Sequence, residues 1–328
     1  MCNSSVNFPY MLVLFGPTGV GKSDVALELA NCFPAEIVNI DVGQFYVPLS
    51  IGTAKPDWRS QRVPHHLFDI VDQPKDCTVF AYRALLEKTI LDIWKRGKLP
   101  IIVGGSCFYV HSLFFPPHVG LEVSEEFCCA EYENDSLWQK LYEIDSDRAK
   151  QIHPHDIYRI KRALTIWHAT GKKPSTFVPQ YKPLSDYTLI CLTRDRKDLY
   201  QRINKRTETM LHHGWIDEAK SLVGTEWEPF LRKKNLIGYP ELFDYFEEKN
   251  NFDSTVDRIQ QETRNYAKRQ LTFWRRLERQ LRSQVLSQRT YIETVNLTST
   301  DLERYINLLL MKIKNFASQT ENEIKRKP

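Results

Sequence analysis

The sequence predicts an α/β protein: a P-loop parallel-sheet core with an α-helical insertion domain and a helical C-terminal part. Three observations carry this reading. Gly16-Pro-Thr-Gly-Val-Gly-Lys-Ser23 lies between an apolar run and a helical stretch, the setting in which a glycine-rich loop binds phosphate. Strand-like and helix-like segments alternate over residues 10–115. A β-rich run, Tyr187-Thr-Leu-Ile-Cys-Leu192, comes after a long helical stretch and returns the chain to the sheet.

The elements run in order. A strand over Tyr10–Phe15 leads through the loop into a helix over 21–32. A second strand, Glu36–Ile40, ends at Asp41. A polar loop then carries Gly52-Thr-Ala-Lys-Pro56 and Pro64-His-His66, before a short strand from Leu67 to Val71. A helix over 78–96 runs into a strand over Leu99–Val103, closed by Gly104-Gly105. Beyond Pro116-Pro117 the pattern over 124–170 is helical, with a short first helix at 121–135, and Pro174, Pro179 and Pro183 close it. After the strand at 187–192 the chain is helical to about 285, then a strand (Thr290–Val295), a helix (299–315) and a polar tail complete it. The expected divisions are 1–117 and 186–316 for the core, 118–185 for the insertion, and 317–328 for the tail.

Bulk properties narrow the function. The chain has 328 residues, 42% hydrophobic and 26% charged, which fits a globular protein with an ample core. No apolar run approaches the roughly 18 residues of a membrane span, so no membrane partner is expected. Seven scattered cysteines form no C-x-x-C pair, which reads as reduced thiols in a cytoplasm, with neither zinc site nor disulfide framework. Nothing in the pattern calls for an obligate protein partner. Net charge is only +4, yet residues 257–289 hold nine Lys/Arg against three acids. At 100° per residue, Arg264, Lys268, Arg275, Arg279 and Arg282 share one helix face, opposite Tyr266, Phe273, Trp274, Leu277, Leu281 and Val285. A one-sign stripe of this kind fits a polyanion, RNA or DNA first.

The candidate chemistry starts in the phosphate loop. Gly16, Pro17, Thr18, Gly19, Val20 and Gly21 supply a backbone that closes around phosphate oxygens; Lys22 neutralises charge, and the Ser23 hydroxyl can hold Mg²⁺. Asp41 ends a core strand, where ligands bind in such sheets. It reads as a magnesium ligand, a general base, or a cap of the following turn. The strand ending in Gly104-Gly105 offers no second acid there, so Asp41 is the one well-placed carboxylate near the phosphates. The Thr18 hydroxyl either reaches a leaving oxygen or caps the loop. Arg159 and Arg162 share a helix face, either solvated or contacting phosphate or base.

The motifs together resemble the tRNA dimethylallyltransferase (tRNA isopentenyltransferase) family, bacterial type. They are the Gly-Pro-Thr opening of the loop, Asp41-x-x-Gln44-x-Tyr46, Ile51-Gly-Thr-Ala-Lys-Pro56, Pro64-His-His-Leu67 and Gly97-Lys-Leu-Pro-Ile-Ile-Val-Gly-Gly-Ser106-x-x-Tyr109. Ile152-His-Pro-x-Asp156, Arg159-x-x-Arg-Ala-Leu164, Thr170-Gly-Lys172, Ile237-Gly-Tyr239 with Glu241, and Thr263-Arg-x-Tyr-Ala-Lys-Arg-Gln270 with Trp274 complete the set. The resemblance spans roughly residues 10–280.

It implies alkyl transfer. The dimethylallyl group of dimethylallyl diphosphate would pass to the exocyclic amine of the adenosine just 3′ of a tRNA anticodon. The loop would cradle the diphosphate, with Mg²⁺ on Ser23; Thr18 would bond the leaving oxygen and Asp41 would act as general base. Gln44, Ser106, Arg159 and Arg162 would contact the anticodon stem-loop, and the stripe around Lys268 and Arg269 its backbone. The family usually has Ser where this chain has Val42, Asn where it has His155, and Glu where it has Thr165; some members carry Arg or Gln where it has Asn235. Three rivals are a P-loop kinase or NTPase, a prenyltransferase of free adenine nucleotides, and a non-catalytic RNA-binding module.

Overall fold

Six parallel strands form one sheet in the computed structural model, in the order β3-β2-β4-β1-β5-β6. The structure describes residues 9–117, 136–284 and 286–324, with side chains to 315; the helix expected at 121–135 and Val285 lie outside them. The central strand β1 (Tyr10–Phe15) is buried along its whole length between β4 (Leu99–Gly104) and β5 (Asp186–Thr193). A strand covered on both faces needs apolar residues throughout, hence the unbroken run of large side chains. Phe15 pairs with both Gly104 and Cys191, so β1 and β4 finish level and β5 runs two residues further. The loop after β1, the Gly104-Gly105 turn and the start of α7 (Arg196–Met210) therefore converge at one edge of the sheet.

On the other side of β4, β2 (Ala35–Asn39) ends one residue before Ile40, and Asp41 opens a single tight turn, Val42–Phe45. Helix α1 (Lys22–Cys32) packs Val25, Ala26, Leu29 and Ala30 into the core, and α2 (Val79–Lys95) is capped by Thr78, which accepts from Ala81 N–H. The strand expected over Leu67–Val71 does not form. Strand β3 is His65–His66 only, because Leu67 (φ 62°) and Asp69 (φ 52°) adopt left-handed backbone, which breaks extended pairing. Helix α3 (Cys107–Phe114) leaves the sheet. After β5 come α7, α8 (Ile216–Lys220), α9 (Trp227–Lys234), α10 (Tyr239–Phe246), the long α11 (Phe252–Arg282), β6 (Tyr291–Asn296) and α12 (Leu302–Ile324). The last helix continues beyond the expected end at 315, through residues read as a polar tail.

The chain divides into two compact units, residues 1–113 with 184–328, and residues 114–183. Within the second, α4 (Leu137–Ile144), α5 (Ser146–Ala149) and α6 (Ile157–Thr170) enclose a small core of Leu137, Leu141, Ala149, Ile152, Ile160, Ala163 and Leu164. Asp145 pins it by accepting from the backbone N–H of Arg148 and Ser175. No described helix is long and apolar enough to cross a membrane.

Glu36 is an acid in a buried strand, and Arg96, Lys98 and His66 hold it there. Its carboxylate accepts from Arg96 (2.6 and 3.0 Å), from His66 (2.6 Å), and pairs with Lys98 at 3.0 Å. Burial alone would raise its pKa; hydrogen bonds from Arg96, Lys98 and His66 outweigh this and bring it from 4.5 to about 2. Because the folded value is depressed, the stabilisation is complete above the ordinary carboxylate range and is lost as pH falls towards about 2. Glu36→Gln is expected to lower unfolding stability at pH 7 by about 2 kcal/mol. In denaturant titrations the gap from wild type should close as the pH falls towards 2.

Candidate active site

The phosphate loop is built from the core outward. Val20 is fully buried and anchors the loop, while Gly21, at the N-terminus of α1, has φ 105°, a conformation that favours glycine. Lys22 Nζ folds back over the loop and donates to the carbonyls of Gly16 and Pro17, each at 3.0 Å. The Thr18 N–H donates to Gln270 Oε1 (2.9 Å), and Gln270 Nε2 donates to Gly105 O (2.8 Å). Gln270 lies fully buried on α11, so one amide ties the loop to the end of β4. Thr18, Gly19, Gly21, Lys22 and the exposed Ser23 line a cavity of about 940 Å³.

Three arginines that the motifs do not single out meet this loop. Arg194 Nε donates to Val20 O (2.9 Å), and Arg202 Nε to Gly19 O (3.0 Å). Arg202 and Arg206 line the cavity one helical turn apart on α7. Their signal was available: a cationic i, i+4 pair on the first helix after the strand that re-enters beside β1. The cations sit close enough to perturb one another. Burial lowers the Lys22 pKa from 10.5 to about 8, with Asp41 opposing that shift and Arg206 adding to it. Burial also lowers the pKa of the Arg206 guanidinium, against the pull of Asp41 and Asp24.

Asp41 lies in the same cavity as Lys22 and Arg206. It caps nothing: its side chain makes no capping hydrogen bond to the following turn. Its backbone is clasped by Asn39, which accepts from Asp41 N–H (2.9 Å) and donates to Leu67 O (3.0 Å). Tyr82 in turn donates to Asn39 O at 2.6 Å. Ser106 Oγ accepts from Val42 N–H (2.9 Å) and stands 3.5 Å from Asp41 Oδ1, at the limit of hydrogen bonding. Tyr266 bonds to Ser106 and lines the cavity, although its helical position assigned it to the packing face. A further carboxylate, Asp24 on the first turn of α1, also lines the cavity, so Asp41 is not alone there. Gln44 lines the cavity with its amide donating to the carbonyls of Thr53 and Ala54.

The cationic stripe is partly committed. Arg264 bonds Asn204 and Gln261, and Arg282 bonds Glu278, whereas Lys268, Arg269, Arg275, Arg276 and Arg279 are exposed on α11. Of these, Arg269 also lines the cavity. Arg159 and Arg162 lie on α6 in the other unit; Arg159 is exposed and pairs with Asp156 at 3.2 Å. Among the described residues no group of three or more His, Cys, Asp or Glu is arranged to hold a metal.

A cavity with this cation set should bind inorganic diphosphate. A lysine with a depressed pKa carries charge only below that value, so calorimetric affinity should fall as pH rises through about 8. Arg206→Gln should weaken diphosphate binding about tenfold or more at pH 7, as loss of a charge-assisted contact does.

The sequence model of the IPP transferase family matches residues 44–277. The tRNA dimethylallyltransferase of Thermotoga petrophila is 37% identical over 270 residues, covering 80% of this chain and 88% of that protein. That of Pseudothermotoga lettingae is 37% identical over 295 residues, covering 88% and 94%. Among solved structures, the full-length tRNA isopentenylpyrophosphate transferase of Bacillus halodurans superposes with TM-score 0.66 at 29% identity, covering 96% of this chain and 99% of that one. A eukaryotic dimethylallyltransferase acting on tRNA gives 0.78 at 28% identity, covering 93% and 80%. The chain belongs to the IPP transferase family.

Proposed function

We propose that this protein transfers a dimethylallyl group from dimethylallyl diphosphate to the exocyclic amine of the adenosine just 3′ of a tRNA anticodon, releasing diphosphate. The observation that carries the reading is the presence of Asp41 in one cavity with Lys22, Arg202 and Arg206. The bacterial relatives support the reaction type, and the exposed cations of α11 fit an RNA backbone.

The chemistry divides between the two sides of the cavity. The C1–O bond of the allylic diphosphate breaks with its electron pair leaving on oxygen. Lys22, Arg206 and the loop N–H groups stabilise that charge, and the Thr18 hydroxyl bonds the leaving oxygen. The adenine amine forms the new N–C bond, and its proton passes to Asp41. A magnesium ion would be held by the exposed Ser23 hydroxyl beside the loop and would take its other ligands from phosphate oxygens and water. When bound it would add positive charge at the leaving group. The acceptor base must leave its stack to enter the cavity. Gln44 and Ser106 would then meet it, with Lys268 and Arg269 on its backbone and Arg159 and Arg162 on the stem-loop. The expected place of this reaction is the cytoplasm.

The test incubates the protein with labelled dimethylallyl diphosphate, Mg²⁺, and either unmodified tRNA or AMP. Label is expected in tRNA; label in AMP alone, or ATP hydrolysis without transfer, would overturn the proposal. Asp41→Asn should keep tRNA affinity and lower turnover by roughly 10²–10⁴-fold, the usual contribution of a general base. Normal turnover in that variant would make Asp41 structural.

A further inference from the structure

Glu218, on the short helix α8, takes no direct part in the prenyl-transfer chemistry, yet its carboxylate is among the most fully engaged side chains in the structure. Oε2 accepts from the backbone N–H of Ser50 (2.8 Å) and Ile51 (2.7 Å). Oε1 accepts from the N–H of Gly52 (2.9 Å) and the hydroxyl of Tyr239 (2.7 Å). Three successive amides aimed at one anion form a concave donor nest, here filled by a side chain of the same protein. The loop has little freedom to settle elsewhere. A Cβ at Gly52 would fall 2.0 Å from the Trp215 indole nitrogen, so the backbone is pressed directly against that ring.

The nest leads directly into the cavity wall. Thr53 and Ala54 continue the same loop, and their carbonyls both accept from Gln44 Nε2 at 3.2 Å. Two carbonyls can be matched only by the NH₂ end of an amide, so the orientation of Gln44 is fixed by its partners. With both donors committed, the remaining polar atom of Gln44 is the acceptor Oε1. Gln44 itself lines the cavity that holds Asp41, and Gln44 N–H donates to Asp41 O at 3.0 Å.

We infer that Glu218 is a positioning residue for the acceptor base. By holding Ser50–Gly52 it sets the Thr53 and Ala54 carbonyls, and these turn Gln44 so that it offers an acceptor to an N–H donor of the incoming base. A base that carries an exocyclic amine satisfies that acceptor; one that carries a carbonyl at the same place meets like with like. This inference rests on the proposed prenyl transfer to tRNA.

A double-mutant cycle tests it. Glu218→Gln replaces an acceptor oxygen with a donor facing backbone N–H groups. It should lower kcat/KM for tRNA about tenfold while calorimetric affinity for inorganic diphosphate stays within about twofold. In a Gln44→Ala background the same change should have almost no further effect, because its target is already gone. Tyr239→Phe removes one donor but leaves the three amides, and should keep kcat/KM within about threefold. Should Glu218→Gln fail to fold, Glu218→Asp enters the same cycle, keeping the charge on a shorter arm. Additive losses in the cycle would overturn the inference, as would weakened diphosphate binding in Glu218→Gln or an equal loss in Tyr239→Phe. Wild-type protein that transfers nothing to tRNA would overturn the proposed function itself, which an active wild type with an additive cycle would not.

Discussion

One buried side chain fixes the distance between the two halves of the cavity. Gln270 accepts from Thr18 N–H and donates to Gly105 O, so the phosphate loop and the end of β4 are held on a single amide. The constraint is strong because Gln270 is fully buried: a lost bond would leave a polar group with no water to replace its partner. Helix α11 must pack Ala267, Trp274, Leu277 and Leu281 against the protein while it carries Gln270 to the loop. The same helix then presents Lys268 and Arg269 to solvent beside that anchor. Core packing, loop geometry and the cationic surface are therefore one element.

Charge in the cavity is a consequence of that arrangement. Lys22, Arg202 and Arg206 surround a loop whose own N–H groups are already electropositive, and helix α1 adds its N-terminal dipole. Such a cluster is self-repelling. Burial first, and then the neighbouring Arg206, bring Lys22 down to about 8. Part of the compensation comes from Asp41, and more is available from an anionic ligand. A site of this kind gains most from a compact, highly charged group, which a diphosphate is.

Most of the sheet was legible in the sequence, because a buried parallel strand needs apolar residues: β1, β4 and β5 carry long runs of them, while β2 has Ile37-Val38 and β6 sets Ile292 and Val295 among polar residues. The strand at 67–71 was misread because its apolar residues are real but Leu67 and Asp69 sit in left-handed backbone, which composition does not reveal. The site was legible where chemistry is local. The phosphate loop, Asp41 and Gln44 announce themselves through short motifs and strand ends. Arg202 and Arg206 did not, since they reach the cavity from a helix distant in sequence, and the motif that holds Tyr266 and Gln270 does not say what those two side chains meet. Their helical spacing says which face they share. It does not say what that face meets. Glu218 was hidden for the same reason: its partners are backbone amides more than 150 residues away, and backbone carries no sequence signature.

The stretch from Arg196 to Lys220 joins these two kinds of site. Helix α7 supplies Arg202 and Arg206 to the phosphate side, and α8 supplies Glu218 to the loop that orients Gln44. Between them the helix does not run straight. His213 (φ −93°) and Gly214 (φ 101°) leave helical geometry, and Trp215 comes next, pressed against Gly52. A straight continuation would carry the later residues along the α7 axis at about 1.5 Å per residue and direct their side chains by the helical repeat alone. The kink instead lets one segment serve two surfaces, with the indole of Trp215 as the spacer. A glycine at 214 is what permits this, because a side chain at that positive φ is strained whatever space surrounds it. The cavity cations of α7 and the loop that holds Gln44 are thus set relative to each other by backbone geometry.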